Sequence, residues 1–425
     1  MMDTIFALSS GSAPAGIGVI RISGPGAADA LQRLAGKLPP PRRAVARYLK
    51  DSDGGVLDHA LVLFLPGPHN ATGEDTAELH LHGGRAVIAA VEGVLAGMDG
   101  LRRAEPGEFT RRAFINGRLD LAESEGLADL LEAETELQRR SAMALLGGGL
   151  SRVVEEWRGQ VLTLSAQIEA VLDFSDEEDS ADLPPSFAEG LGALQSVIGE
   201  WLARPRARAL KEGFRVVLAG PPNSGKSTLF NALVEDEAAI TAPTAGTTRD
   251  VLQRTCAIAG IPFTFLDTAG LHEVSTDPIE LIGIERARAA LGKADLVLWL
   301  GDEGQGPPDA WEIETKIDLG NRNRTSSPEM RISAATGEGM DELRRRLIAH
   351  AAAALPNPGQ VALSDRQHTL LAEALASLSE ISPAGDLLLI GESLRSARSA
   401  FDRLIGRSAT EDMLNTLFSR FCIGK

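Results

Sequence analysis

The sequence predicts a multidomain chain of three fold classes: an N-terminal α+β domain, an all-α helical domain split in sequence, and an α/β domain inserted between its halves. Three observations support this prediction. Residues 1–118 carry short strand patterns, residues 119–211 and 355–425 carry helical apolar spacing, and residues 212–354 open with a strand, a glycine-rich loop and a helix. A chain of 425 residues, 44% of them hydrophobic, has room for all three and for their cores.

The N-terminal segment predicts an α+β domain because strand-like and helix-like runs follow each other closely. Gly16–Gly24, Ala60–Leu65 and Thr76–His82 predict strands, and Ala86–Leu95 predicts a helix after a Gly-Gly pair. His80 and His82 fall on one face of a predicted strand, where two imidazoles could begin a metal site. No third ligand follows at a useful spacing, so this reading is not favoured.

The helical segments lie on both sides of the inserted domain. The first shows one apolar stripe at spacings of three and four residues, formed by Val154, Trp157, Val161, Leu164, Ile168 and Val171. A further helix is predicted around residues 191–202, and helical patterns resume after Pro358. We therefore expect one helical domain whose two parts pack together, with the stripe as its core.

Gly220–Ser227 reads G-x-x-x-x-G-K-S between a strand-like run and a helix-like run. In that setting the backbone N–H groups of a tight loop point at phosphate oxygens, supported by the helix N-terminus. Lys226 can then reach the β- and γ-phosphates, and the hydroxyl of Ser227 can ligate Mg²⁺.

Four further elements follow in the order found in Ras-like P-loop GTPases. Gly246–Asp250 fits a first switch, and Asp267–Gly270 fits the acidic strand end next to the γ-phosphate. Thr315–Asp318 resembles the guanine-reading N-K-x-D element, and Ser333–Ala335 fits the segment whose N–H groups read guanine O6. The predicted GTP-binding residues are Asn223, Ser224, Gly225, Lys226, Ser227, Thr228, Ala242, Pro243, Thr244, Ala245, Gly246, Thr247, Thr248, Asp267, Thr268, Ala269, Gly270, Thr315, Lys316, Asp318, Ser333, Ala334 and Ala335.

The hydrolytic machinery must differ from that of Ras, because Leu271 stands where a glutamine orients the attacking water. Together with Lys226, two residues are catalytic candidates. Asn223 in the phosphate loop can ligate a monovalent cation that stabilises charge in the transition state. Glu280 can position the water, although a solvated carboxylate at a helix start explains it equally well on local grounds.

Composition limits the functional classes. The net charge of −17 argues against broad electrostatic capture of nucleic acid, and the arginines at 102, 103, 111 and 112 are expected to be solvated surface. The absence of a membrane-spanning run and the two cysteines, Cys256 and Cys422, are consistent with a cytoplasmic location. We expect Cys422 to be buried and inert, although a chemical role is the alternative.

The whole chain resembles the MnmE (TrmE) family of tRNA modification GTPases. The resemblance rests on motifs in every segment, namely Gly18–Gly24, Thr72–Asp75 with Glu78, His82–Gly84, Pro106–Phe109, Arg112–Leu121, Gly246–Asp250, Ile282–Arg286 and the terminal Phe421–Lys425. It implies a cytosolic homodimer that works with the flavoprotein MnmG (GidA), in a heterotetramer or larger complex, to form a carboxymethylaminomethyl or aminomethyl group on wobble uridine 34 of certain tRNAs. It also raises the expectation that Glu280 is catalytic.

Further sites follow from the resemblance alone. It implies that the N-terminal domain binds a tetrahydrofolate derivative, 5-formyl- or 5,10-methylene-tetrahydrofolate, through Arg21, Glu78, Arg118 and Lys425. It implies Mg²⁺ ligation by Ser227 and Thr248. It implies K⁺ ligation by the Asn223 side chain and by the backbone carbonyls of Ala242, Thr244 and Thr247.

The chain departs from the family pattern at Ala242–Thr244, where a proline stiffens the loop, and at Thr315, which replaces asparagine. The loss of that asparagine places one contact to the base in question. The alternative function is a ribosome-assembly GTPase switch. Such a protein should carry a basic RNA-binding module, whereas the flanks here are acidic overall and end in Cys-Ile-Gly-Lys.

Overall fold

The alternating patterns near the N-terminus form the strands of a sheet in the computed structural model, which describes residues 3–173, 183–234, 252–267, 292, 294–320 and 328–425. The chain separates into two units. The first comprises Met1–Ala128, Ser151–Glu155 and Phe401–Lys425, and the second comprises Asp129–Leu150 and Glu156–Ala400. Across the described ranges, every helix is too short or too polar to cross a lipid bilayer. The finer division at residues 118, 211 and 354 stays a prediction.

The sheet of the first unit has six strands in the order β3-β4-β5-β2-β1-β6. These strands are β1 (Thr4–Leu8), β2 (Ile17–Ser23), β3 (Val45–Lys50), β4 (Val56–Leu65), β5 (Thr76–His82) and β6 (Leu101–Arg103). Neighbours are antiparallel except β1 and β6. Two helices, α1 (Ala27–Ala35) and α2 (Arg85–Ala96), share one core cluster with the sheet, so the α+β prediction is confirmed.

The first unit also includes α3 (Glu108–Ile115), the first part of α4 (Leu121–Glu132), α13 (Glu411–Phe418) and residues 151–155 and 401–405 of two longer helices. Leu121 of α4 and Leu414 and Phe418 of α13 lie in one buried cluster with Phe421. The last residues of the chain are thereby anchored by apolar burial rather than by local helix formation alone.

The second unit contains five of the six residues of the predicted helical stripe, and Val154 belongs to the first unit. Its helices are α5 (Glu136–Leu146), most of α6 (Gly149–Asp173), α7 (Pro185–Leu202), α8 (Ala207–Glu212), α11 (Asp365–Ser379) and most of α12 (Leu387–Ile405). Five of the six stripe residues are buried, and Val171 is half-buried. Gln195 of α7 donates to the carbonyl of Leu378 in α11 at 2.8 Å. The two helical parts therefore pack together, as predicted.

The inserted α/β domain has a sheet in the order β12-β11-β10-β7-β9-β8. The strands are β7 (Phe214–Ala219), β8 (Leu252–Ile258), β9 (Ile261–Asp267), β10 (Leu296–Trp299), β11 (Trp311–Glu314) and β12 (Met330–Arg331), with helices α9 (Lys226–Val234) and α10 (Met340–Ala354). All neighbours are parallel except β8 and β9. Ligands of such sheets bind beyond the carboxyl ends of the parallel strands, where β7, β9 and β11 lead into the predicted site residues.

Candidate GTPase site

The phosphate loop lies between the end of β7 and the start of α9. Gly220 and Gly225 have φ values of 147° and 96°, and Asn223 has a left-handed φ of 61°. A Cβ at Gly220 would lie 3.0 Å from the backbone of Leu300, so both conformation and space favour glycine there. The hydroxyl of Ser224 is buried and has no hydrogen-bond partner among the described residues. A tight loop with an unpaired buried donor suits a ligand rich in acceptors, such as a phosphate.

Lys226 is the buried cation of this loop. Its Nζ donates to the backbone carbonyls of Gly220 at 2.9 Å and Pro221 at 2.8 Å. Burial lowers the pKa of Lys226 from its usual range, and the carboxylate of Asp267 opposes this shift. The ammonium thus lies directly over the loop that would hold the phosphates, where a negatively charged ligand would compensate for its burial.

Ser227 and Asp267 meet at the mouth of the loop. The hydroxyl of Ser227 donates to Oδ2 of Asp267 at 2.7 Å. Asp267 is the last residue of β9, it is paired in register with Leu218 of β7, and it is 1% exposed. A hydroxyl and a carboxylate at this distance are hard oxygen ligands of the kind Mg²⁺ prefers, so these residues fit the metal.

The predicted base-reading residues lie against the phosphate loop. The hydroxyl of Thr315 donates to the carbonyl of Ser224, and Nζ of Lys316 donates to the carbonyl of Asn223, both at 2.6 Å. Ser333 donates its hydroxyl to Oδ1 of Asp318 at 2.6 Å. Thr315 and Lys316 are thus held against loop residues that lie 91 and 93 positions earlier in sequence. Ser333 is held to Asp318 of the same segment.

The turn after Ser333 leaves backbone donors available. The Ser333 hydroxyl accepts from the N–H of Thr336 at 3.2 Å, which holds the turn in place. Within the described part of the chain, neither Ala334 nor Ala335 donates its N–H to a protein acceptor. These two groups are suited to an acceptor such as guanine O6.

Thr228 lies in the first turn of α9. The other predicted nucleotide and cation residues lie outside the described residues, and these are Ala242, Pro243, Thr244, Ala245, Gly246, Thr247, Thr248, Thr268, Ala269, Gly270 and Glu280. Leu271 lies outside them as well.

A second candidate site lies on the first unit. Arg21 of β2 pairs with Glu78 of β5 at 2.9 Å, and the guanidinium stacks over the ring of Phe109 at 5.8 Å. Burial acts to raise the pKa of Glu78, but Arg21 and His80 together outweigh it, so the pKa lies below its usual range. His80 also bonds this carboxylate, at 3.2 Å.

The C-terminal residues dock beside this pair. The N–H of Phe109 donates to the backbone oxygen of Lys425 at 3.2 Å, and Ile423 forms a β-bridge with Pro106. Gly424 has a φ of 96°, and a Cβ there would lie 2.1 Å from the carbonyl oxygen of Leu8, so the close approach requires glycine. Phe109 thus links Lys425 to Arg21, and the structure brings three of the four predicted folate residues into one neighbourhood.

Arg118 has a different set of contacts. Its Nε donates to the carbonyl of Asn70 at 3.1 Å, and its side chain packs beside Gly73. Arg118 therefore supports the loop that precedes β5. A mixed set of cationic side chains and one carboxylate in this region fits a ligand that carries both carboxylates and ring N–H donors.

The first unit also contains a charged cluster that the sequence did not reveal. Arg112 is 6% exposed and pairs with Asp3 at 2.7 Å and with Glu74 and Glu108 at 3.1 Å. Arg102 pairs with Asp3 and Glu108 at 2.5 Å. The expectation of a solvated arginine run is therefore wrong for Arg112, because three carboxylates surround it and two of them, Asp3 and Glu74, are distant in sequence.

The two histidines of β5 pair with different carboxylates. His80 contacts Glu78 at 3.2 Å, and His82 contacts Asp58 at 2.7 Å. Cys256 is buried, but Cys422 is exposed, so the expectation of a buried Cys422 is wrong. The tail, residues 422–425, contacts other parts of the first unit through its backbone. Its neighbour Phe421 and its own Gly424 are buried.

The parallel sheet, the phosphate loop with Lys226, and the Asp318 segment beside it define a P-loop GTPase. Residues 4–118 match the profile described as GTP-binding protein TrmE N-terminus, and residues 121–422 match the profile described as MnmE helical domain. The chain belongs to the MnmE (TrmE) family.

Curated relatives match along their full lengths. The protein named tRNA modification GTPase MnmE from Erythrobacter litoralis is 62% identical over 424 residues, covering 100% of both chains. Proteins with the same name from Novosphingobium aromaticivorans and Zymomonas mobilis are 61% and 50% identical, again over 100% of both chains.

Proposed function

We propose that this GTPase acts in tRNA modification and, together with the flavoprotein MnmG, forms the carboxymethylaminomethyl or aminomethyl group on wobble uridine 34 of certain tRNAs. The observation that carries the proposal is the full-length match to relatives named tRNA modification GTPases, including the flanking segments that a GTP site alone does not require. The paired Arg112 cluster and the acidic net charge argue against a broad basic RNA-docking surface.

The nucleotide chemistry of the proposal uses the described site directly. Lys226 would bind the β- and γ-phosphates, Ser227 with Thr248 would ligate Mg²⁺, and Asp318 would accept hydrogen bonds from guanine N1 and N2. Bound Mg²⁺ would neutralise charge on the phosphates. The buried position of Lys226 and the short distance from Ser227 to Asp267 support these roles.

We further propose that hydrolysis requires K⁺ and is activated when two GTPase domains pair. The left-handed backbone of Asn223, in an exposed part of the phosphate loop, supports this role. The backbone carbonyls of Ala242, Thr244 and Thr247 would complete the site. A cation there would supply positive charge to the transition state without an arginine finger.

Asn223→Ala should abolish the preference for K⁺ over Na⁺ in GTP turnover. In the wild-type protein K⁺ should accelerate turnover, because the smaller ion does not fit the same oxygen ligands equally well. The measurement is steady-state phosphate release at matched ionic strength, with Asn231→Ala on α9 as the control. Equal wild-type rates in both salts would mean that K⁺ has no specific role in hydrolysis.

For the first unit, we propose homodimerisation and binding of a tetrahydrofolate derivative. The pairing of Arg21 with Glu78 and the docking of Lys425 near Phe109 support a folate site there. The derivative would supply the one-carbon unit. Arg21, Arg118 and Lys425 would bind its carboxylates, and Glu78 would bind its ring donors.

The proposed function is tested in a strain that lacks this chain. Mass spectrometry of wobble nucleosides should show loss of the modified uridine, restored by the wild-type gene but not by Lys226→Ala. Normal wobble uridines in the deletion strain would contradict the function. An accompanying defect in ribosomal subunits with intact nucleosides would favour the ribosome-assembly alternative.

A further inference from the structure

The base-reading segment has one hydrogen-bond donor fewer than its usual form. We infer that this GTPase does not read N7 of the purine, and that it accepts guanine nucleotides altered at that atom. The inference depends on the GTPase class of the chain and is independent of its proposed role in tRNA modification.

Thr315 carries the inference. A threonine hydroxyl has one hydrogen, and here that hydrogen is donated to the carbonyl of Ser224 at 2.6 Å. Only lone pairs of the Thr315 oxygen remain, and a lone pair offers nothing to N7, which is itself an acceptor. The residue therefore fastens the base segment to the phosphate loop and cannot also contact N7.

Asparagine, the usual residue in N-K-x-D, has a different capacity. Its side-chain amide carries two N–H donors, so one can hold the loop while the other reaches an acceptor on the base. Threonine retains the first function and loses the second. Thr315 also lies against Gly225, 3.5 Å from where a Cβ would be, so the hydroxyl is confined next to the loop.

Among the described residues of the base-reading segments, the other donors are engaged elsewhere or are better suited to another atom. Nζ of Lys316 is held at the carbonyl of Asn223, and the hydroxyl of Ser333 is donated to Asp318. The unpaired N–H groups of Ala334 and Ala335 suit O6, the second acceptor on this edge of guanine. Guanine is thus read through N1, N2 and O6, and none of these side chains donates to N7.

The test compares GDP with 7-deaza-GDP, in which a C–H replaces N7, by calorimetric titration of the full-length protein with Mg²⁺. The wild-type protein should bind the two within about twofold. Thr315→Asn should bind 7-deaza-GDP at least about fivefold more weakly than GDP, the size of one neutral hydrogen bond. Thr315→Val should weaken both nucleotides alike, because it removes the tether and adds no donor.

Two results would overturn the inference. A wild-type preference for GDP above about fivefold would mean that another donor reads N7, and this result needs no variant. A Thr315→Asn protein that binds GDP normally yet does not discriminate would mean that position 315 does not reach N7. Because both nucleotides share the phosphate loop, failure of the GTPase assignment would instead appear as loss of binding to both.

Discussion

Glu280→Ala is expected to lower the GTP turnover number by about 10²-fold or more, the size of a lost general base or water-positioning group. GTP affinity should change little. The described carboxylates of the site are already engaged, because Asp267 bonds Ser227 and Asp318 bonds Ser333. With leucine at position 271, we expect a group from another segment to orient the water, and the sequence offers Glu280.

The measurement is single-turnover hydrolysis in K⁺, with nucleotide affinity determined separately. Glu280→Gln tests whether the carboxylate itself is needed, and Glu273→Ala is a matched loss of charge in the same stretch of sequence. If the Glu280→Ala protein hydrolyses GTP at the wild-type rate, Glu280 is not catalytic, and the alternative of a solvated carboxylate at a helix start is favoured.

The phosphate loop was predictable because its chemistry is encoded in contiguous residues. A phosphate loop requires local backbone conformations that favour glycine, as at Gly220 and Gly225, and an eight-residue motif reveals this requirement. The hydrogen bond that occupies the Thr315 hydroxyl could not be predicted from the sequence. Its bond to Ser224 joins residues 91 positions apart, and only the fold brings them together.

The first unit was less predictable because its polar contacts are long-range. Arg112 looked like part of a basic surface, yet its partner Asp3 lies 109 residues earlier in sequence. A run of like charges does not reveal opposite charges supplied by other elements. The exposure of Cys422 was missed for a related reason, since the tail is held by backbone contacts that composition does not encode.

Deleting Cys422–Lys425 is expected to abolish binding of 5-formyl-tetrahydrofolate and wobble-uridine modification while GTP binding is retained. The tail is not a frayed terminus. Phe109 donates to the Lys425 backbone, Ile423 bridges Pro106, and Gly424 fits closely against Leu8. The deletion removes these contacts from the region that holds Arg21 and Glu78. The GTP site belongs to the other unit, so GTP binding should not depend on them.

Calorimetric titration with the folate derivative and with a GTP analogue measures both effects on one preparation. Lys425→Met separates two contributions, because it keeps the backbone bond to Phe109 and removes only the ammonium. If the ammonium binds a folate carboxylate, Lys425→Met should lose much of the affinity with the tail still docked. Undiminished folate affinity in the truncated protein would exclude the tail from the site, and the one-carbon role would then depend on Arg21, Glu78 and Arg118 alone.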